Sequence, residues 1–525
     1  MSYCVYLFFI KHEKSGIVFL LEYAPKDTRL QLTLGGLFEQ QRDQGVRCIM
    51  VFASYEFIFW FFPFVFAGYF LLSKFESFKF QHFFLVLSSL VFYAWFNVSY
   101  LWIILSSILI NYLISKWMNS SSDQRSRKFI FILGIAFNIF LLGYYKYYDF
   151  FADNFNSLFG TSYTLKYILL PLGISFITFQ QIAFLLSSYR NEWRNSDFLR
   201  YCLCVLFFPH LIAGPIVLYS ELMPQFGDNK RRFINWENIA SGFYIFVLGL
   251  FKKIVIADTL AVWANNGFDN MGNIGFFAAW ATALAYTLQI YFDFSGYSEM
   301  AIGLAKMLNI DLPANFKSPY KARNIGEFWR RWHITLSRAL SEFIYKPLGG
   351  NRKGEYRTYL NIGITFFISG FWHGASWLFI IWGVLHGFAS IIHRIWTKTG
   401  FKMNHYVAVL ITFLFINFTW VIFRATSMEQ AIRILKAMVI PKSFDVMQIG
   451  LLYYDGIMNL PTILCTLIIL ATLLTLLIIV FKATNALELA AIFKVNNLTV
   501  WKTSVALFVS IICLGRSSVF IYFNF

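Results

Sequence analysis

The stretch SGFWHGASWLFIIWGVLHG, residues 369–387, sets His373 and His386 in a run otherwise apolar enough for a membrane. A neutral imidazole is cheap to bury there compared with a charged group. It can take a proton from a hydroxyl as that oxygen attacks an activated acyl carbon. Of the eight histidines, His12 lies in an atypical N-terminal stretch, and His82 and His405 lie near the ends of apolar runs, which predicts interfacial positions. His210 sits in an interrupted apolar stretch, where a structural hydrogen bond is expected. The remaining four, His333, His373, His386 and His393, are 40, 13 and 7 residues apart. These spacings contain no HExxH, and on a straight helix residues 373 and 386 would point about 220° apart, so no shared metal site is expected. GxSxG, Walker and Rossmann glycine patterns are absent, which removes serine-hydrolase and nucleotide chemistry. On residues alone His373 is either a general base, with Gly370 and Gly374 allowing close approach, or an indole-packed core histidine. His333 reads as a half-exposed histidine on an interfacial helix, and His386 as structural.

A second polar group interrupts an apolar run in YFDFSGYSEM, residues 291–300. Asp293, Ser295, Tyr297 and Glu299 are candidates for a cavity wall or for ion pairs, since intramembrane ionisable residues are usually one or the other. Asp293 and Glu299 are six apart and do not share a helical face, which argues against joint acid/base work. Their expected partners are Arg323, Arg330 or Arg331. The six cysteines are scattered, and Cys202 and Cys204 form CxC rather than CxxC. Small buried hydrophobes are expected there, with no metal and no disulfide framework.

The elements that must position these groups are spans. Of 525 residues, 58% are hydrophobic and 14% charged, too little polar surface for a soluble domain. Uncharged apolar runs of roughly 18 residues or more recur. The composition predicts an all-α, polytopic transmembrane helical bundle, and the run lengths argue against a β-barrel. The net charge of +17 resides mainly in connections between runs, as the positive-inside rule requires, and not in a nucleic-acid-binding domain. Spans are predicted at 53–73, 80–95, 100–117, 128–146, 166–188, 200–217, 236–260, 275–306, 359–396, 405–424, 461–481 and 500–523. The basic loops KFESFK (74–79), SSSDQRSRK (120–128) and RNEWRNSDFLR (190–200) are expected in the cytoplasm. The connection after Lys146 is acidic and aromatic and is expected on the other side.

Both RNEWRNSDFLR and GDNKRR (227–232) are basic, although a single apolar stretch, 201–219, separates them. Pro209, Gly214 and Pro215 interrupt that stretch, which predicts a re-entrant, broken segment and, since such backbone must be buried in protein or line a cavity, a cavity there. Residues 311–358 form a basic, cytoplasmic or interfacial segment. Its core, GEFWRRWHITLSRALSEFIY (326–345), reads as one amphipathic helix lying in the interface. Residues 1–49 have only short apolar runs broken by charge. They read as an extension preceding a natural start at Met50, so the functional unit is expected to be one membrane-embedded domain, 50–525.

FWRRWHITLS (328–337), YKPLGGNRKG (345–354) and GFWHGASWLFIIWGVLHG (370–387) resemble the membrane-bound O-acyltransferases, of the bacterial alginate O-acetyltransferase type. Further matching segments are LPLGISFITFQQIAFLLSSYR (170–190), FPHLIAGPIV (208–217), GLFKKIVIAD (249–258), YFDFSGYSEMAIGLA (291–305), WVIFRA (420–425) and FIYFNF (520–525). Several long motifs in the same order make the resemblance specific, and it runs from Met50 to Phe525.

The resemblance implies a multi-pass enzyme of the bacterial inner membrane. It would move an acetyl group from a cytoplasmic thioester, acetyl-CoA or an acyl carrier, towards hydroxyls of an extracytoplasmic polysaccharide such as an alginate-like exopolysaccharide. His373 matches the expected base, and His333 would line the donor side or assist. No bound cofactor is implied, and a periplasmic or membrane-anchored acetyltransferase partner is. Trp329, Trp332, Trp372, Arg330 and Arg331 are candidate donor-binding or cavity residues along with Asp293, Ser295, Tyr297 and Glu299. The basic 311–358 segment could meet coenzyme A phosphates or an acidic carrier. Two other readings stand beside this one, a small-anion carrier and a non-catalytic scaffold of a secretion complex.

Overall fold

A computed structural model describes residues 50–75, 77–192, 197–440, 443–453 and 460–516; the 1–49 extension and the end of the last predicted span lie outside these. All regular structure among the described residues is helical. Among the described residues six helices are long and apolar enough to cross a membrane. These are α1 (Phe57–Lys74), α3 (Leu101–Ser120), α4 (Gln124–Phe159), α13 (Trp377–Lys398), α14 (His405–Arg424) and α16 (Thr462–Lys482). Their outward faces carry bare apolar side chains such as Trp60, Phe64, Phe140 and Leu474, as contact with lipid tails requires.

The centre is built differently. Helix α9 (Phe276–Met307) buries 27 of its 32 residues, so it is enclosed by protein all round. Antiparallel to it runs a continuous helical rod, α8 (residues 236–270), whose middle relaxes into a π turn at Lys252–Ala257. The two rods touch backbone to backbone at two levels, Gly242 on Gly303 and Gly249 on Gly296. A Cβ on Gly249 would stand 2.6 Å from Gly296 O. On each rod the two glycines are seven residues apart and share one face, the small-residue route to close helix contact.

Shorter helices complete the described fold: α2 (Phe78–Ala94), α5 (Ile174–Tyr189), α6 (Phe198–Leu206), α7 (Tyr219–Gly227), α10 (Ile325–Trp329), α11 (Ile334–Leu340), α12 (Glu355–His373), α15 (Met428–Val439) and α17 (Asn497–Cys513). The apolar stretch 201–219 is broken, as its prolines and glycine predict. It comprises α6, one turn at Phe208–Leu211 and extended chain, and it is buried in protein from Tyr201 to Val217. Arg338 on α11 ties its far end down, donating from Nη2 to Glu221 Oε2 at 2.9 Å.

Four expectations need correction. The predicted span 359–396 is a helical hairpin. Helix α12 ends at His373, extended Gly374 leads to the Ser376 cap, and α13 returns antiparallel. This fold-back is possible because glycines line the seam: a Cβ on Gly370 would lie 2.3 Å from Phe379 O. The amphipathic segment 326–345 is not one helix. It divides into α10 and α11 at His333, whose φ of 43° is left-handed, and its tryptophans turn inward. The helix expected to end at Lys146 continues through a π turn, Gly143–Tyr147, to Phe159. His82, expected at an interface, is buried between Phe78 and Phe226.

Candidate active site

His373 is the last residue of α12 and is 3% exposed. Aromatic rings cage it. Trp372 and Trp382 each stand 5.0 Å away between centroids, with Trp382 perpendicular, and Phe423 from α14 lies at 5.3 Å. Such a cage gives the imidazole an apolar surround. Helix α5 supplies the outer support, because Phe179 stacks on Trp372 at 5.3 Å and Phe176 meets it edge-on.

A cavity of about 280 Å³ lies on the turn that follows this histidine, whose own side chain is not part of the lining. Gly374, Ala375, Ser376 and Phe379 form one wall, and Tyr144, Tyr145, Lys146, Tyr148 and Asp149 the other. No residue of the broken 201–219 segment lines it, although a cavity was expected there. The aromatic side of the cavity comes from GYYKYYDF (143–150), which straddles the expected end of the 128–146 span.

His333 is fully buried, not half-exposed. Its ring meets Phe294 of α9 at 4.7 Å and Trp372 at 6.1 Å. Asn315 Oδ1 accepts from the Thr335 amide, so it must also accept from His333 Nδ1, at 3.1 Å. That arrangement leaves the lone pair of His333 on Nε2. His333 lies outside the spanning helices, and burial holds its pKa down to about 3, so the imidazole is neutral.

His386 is structural by its partners. Trp329 Nε1 donates to its Nδ1 at 3.3 Å, and its Nε2 donates to Thr419 Oγ1 at 3.2 Å. His210 likewise spends Nδ1 on Gln180 Nε2 at 2.7 Å.

The other candidates divide. Trp372 joins the two histidines, Trp329 holds His386, and Trp332 stacks on Phe328 and meets Trp420 at a tilt. Arg330 is exposed, while Arg331 pairs with Glu327 at 2.8 Å. Burial would raise the Glu327 pKa, but hydrogen bonds from the Arg323 amide and guanidinium and from Arg331 hold the carboxyl below its usual range. The arginines therefore do not serve Asp293 and Glu299, which is a correction. The lysines on the facing rod do: Lys253 reaches Asp293 at 2.8 Å and Asp258 at 2.7 Å, and Lys252 reaches Glu299 at 2.6 Å. Tyr297 stacks on Phe52, and Ser295 is buried on the same helix. None of these four α9 residues lines the cavity; Asp293 and Glu299 bind the central rods together.

Sequence reasoning missed Lys146, Tyr147, Trp382 and Phe423. Lys146 gave a usable signal, being a cation within an apolar helix, which by default marks a functional or paired group.

A multi-pass helical membrane protein with a histidine buried at a helix end beside a cavity fits group transfer, and the comparisons name the class. Residues 171–431 match the model of the MBOAT, membrane-bound O-acyltransferase, family. The peptidoglycan O-acetyltransferase of Helicobacter pylori is 47% identical over 421 residues, covering 74% of this chain and 80% of the relative. The probable alginate O-acetylase AlgI of Pseudomonas aeruginosa is 39% identical over 396 residues, covering 74% and 75%. The teichoic acid D-alanyltransferase of Bacillus subtilis is 26% identical over 275 residues, covering 48% and 68%. The chain belongs to the membrane-bound O-acyltransferase family and is a multi-pass membrane O-acyltransferase.

Proposed function

We propose that this enzyme moves an acetyl group from a cytoplasmic thioester towards hydroxyls of an extracytoplasmic polysaccharide, with His373 as general base. The observation that carries this reading is the position of His373, in its aromatic cage at the end of α12, one residue before the Gly374–Ser376 turn that lines the cavity. By the charge rule α12 begins next to the basic 345–354 turn in the cytoplasm and ends on the far side, so the cavity would receive the acceptor. The imidazole takes the hydroxyl proton as the oxygen attacks the thioester carbonyl carbon. The tetrahedral intermediate then expels the thiolate, and the imidazolium returns the proton to it. His333, held neutral by burial, would line the donor side or assist.

Exposed cations on the 311–358 segment, Arg330 and Arg323 among them, suit an anionic donor such as coenzyme A or an acidic carrier protein. The inner membrane is the expected location, and a periplasmic or membrane-anchored acetyltransferase would complete the transfer. For the acceptor, exopolysaccharide is the reading that the alginate O-acetylases support. The 47% relative, named for peptidoglycan, supports the cell-wall glycan instead. Both present sugar hydroxyls.

The test is the O-acetyl ester content of purified peptidoglycan and of exopolysaccharide from cells bearing wild type, a deletion, His373→Ala or His333→Ala. The polymer that loses esters in the deletion is the acceptor. His373→Ala present in the membrane at wild-type amounts should match the deletion, and normal acetylation by that variant overturns the base assignment.

A further inference from the structure

Helix α12 ends without a local cap. Its last carbonyls lack intrahelical partners, and Gly374 leaves the helix extended, at φ −173°, instead of left-handed. Two adjacent side chains from another helix take over. Tyr147 Oη donates to Phe371 O at 2.7 Å, and Lys146 Nζ donates to Trp372 O at 2.8 Å and to His373 O at 3.2 Å. Three consecutive orphan carbonyls, 371 to 373, are thus satisfied from outside the helix.

Lys146 and Tyr147 can do this because they sit on the π turn Gly143–Tyr147 of α4. The extra residue in that turn changes the helical phase, and such insertions are often found at functional sites. The third Lys146 donor reaches Ser175 Oγ at 3.3 Å, near the start of α5. All three ammonium protons therefore have acceptors. Its charge also faces the negative end of the α12 dipole and lies 5.9 Å from the centroid of the Trp372 ring. Lys146 lines the cavity as well.

We propose that Lys146, assisted by Tyr147, is the positioning residue for His373. By pinning the last turn of α12 it fixes where the imidazole stands in its aromatic cage, next to the turn that lines the cavity. This rests on the reading of His373 as base. Lys146 is not itself an acid or an oxyanion donor, since its three protons are spent on the protein. Displacing a reacting group by a fraction of an ångström to an ångström is enough to slow transfer severely.

The test compares Lys146→Arg, Lys146→Gln, Lys146→Met, Tyr147→Phe and His373→Ala by ester content of the acceptor polymer. Membrane amount and thermal unfolding in detergent are measured for each. At matched amounts, Lys146→Met and Lys146→Gln should lose about tenfold or more, Lys146→Arg should recover most of the loss, and Tyr147→Phe should lose about two- to fivefold. Recovery by arginine separates charge-dependent positioning from mere filling of space. Should Lys146→Met fail to accumulate, Lys146→Gln and Tyr147→Phe carry the comparison. Lys146→Met or Lys146→Gln within twofold of wild type, or arginine no better than methionine, overturns the proposal. If His373→Ala is inactive while Lys146→Met is normal, only the positioning role falls. If His373→Ala is active, the base reading falls.

Discussion

His333 and His373, forty residues apart in sequence, pack on the same indole, with the Trp372 ring 6.1 Å from one imidazole and 5.0 Å from the other. One side chain therefore sets the spacing of both candidate groups, and Phe179 stacked beneath it fixes the indole in turn. Trp372→Phe keeps an aromatic ring but withdraws the second ring of the indole. Acetylation should fall by about tenfold with the protein still in the membrane. Trp372→Ala should also lower accumulation, because emptying a buried tryptophan site costs about 3–5 kcal/mol. Ester content normalised to immunoblotted protein reads both effects, and an unchanged Trp372→Phe variant would refute the shared-spacer role.

The backbone at His333 is left-handed, φ 43° and ψ 53°. Asparagine tolerates that conformation better than most residues and valine poorly. His333→Asn should therefore accumulate near wild-type levels while losing any chemistry the imidazole supplies. His333→Val should carry an additional strain of about 1–2 kcal/mol and unfold at lower temperature in detergent. Equal melting of the two variants would show that the conformation is not what matters at this position.

Much of this arrangement was legible beforehand, and the failures share a cause. Helix α14 appears at the predicted 405–424 and α9 within a residue of 275–306, because long apolar runs bounded by polar turns have one solution in a membrane. The hairpin at 374–376 was not legible. The turn is made of small residues, and the fold-back depends on Gly370 and Gly383 meeting across the seam. Periodicity within one helix says nothing about a partner. For the same reason Lys252 and Lys253 went unmatched to Glu299 and Asp293. The pairing is set by the Gly249–Gly296 crossing, which is tertiary. His333 and Lys146 were misplaced because a left-handed residue and a π turn each change the helical phase that a regular pattern assumes.

Lys253 is 3% exposed and lies between Asp258 and Asp293. Lys253→Met leaves two buried carboxylates without their shared cation, which typically costs about 3–5 kcal/mol. Asp293→Asn leaves Lys253 its Asp258 partner and an amide oxygen, so about 1–2 kcal/mol is expected. Membrane amount and detergent melting should fall in that order, Lys253→Met well below Asp293→Asn. Residual protein from either variant should acetylate at close to wild-type rate per molecule. A variant that is normally stable but inactive would move this cluster from scaffold to chemistry.

Two glycines of α12 provide an internal control for the hairpin. At Gly370 a Cβ would stand 2.3 Å from Phe379 O, a backbone atom that can give way only if α13 moves. At Gly363, on the same helix, a Cβ meets nothing within 4 Å. Gly363→Ala should therefore be neutral or stabilise by up to about 1 kcal/mol through helix propensity alone. Gly370→Ala should push α13 away, and because Trp382 travels with it, the cage around His373 opens. The expected result is loss of acetyl esters by about tenfold or more at reduced melting temperature, while Gly363→Ala keeps both. Identical behaviour of the two alanine variants would mean that the seam is looser than this contact requires.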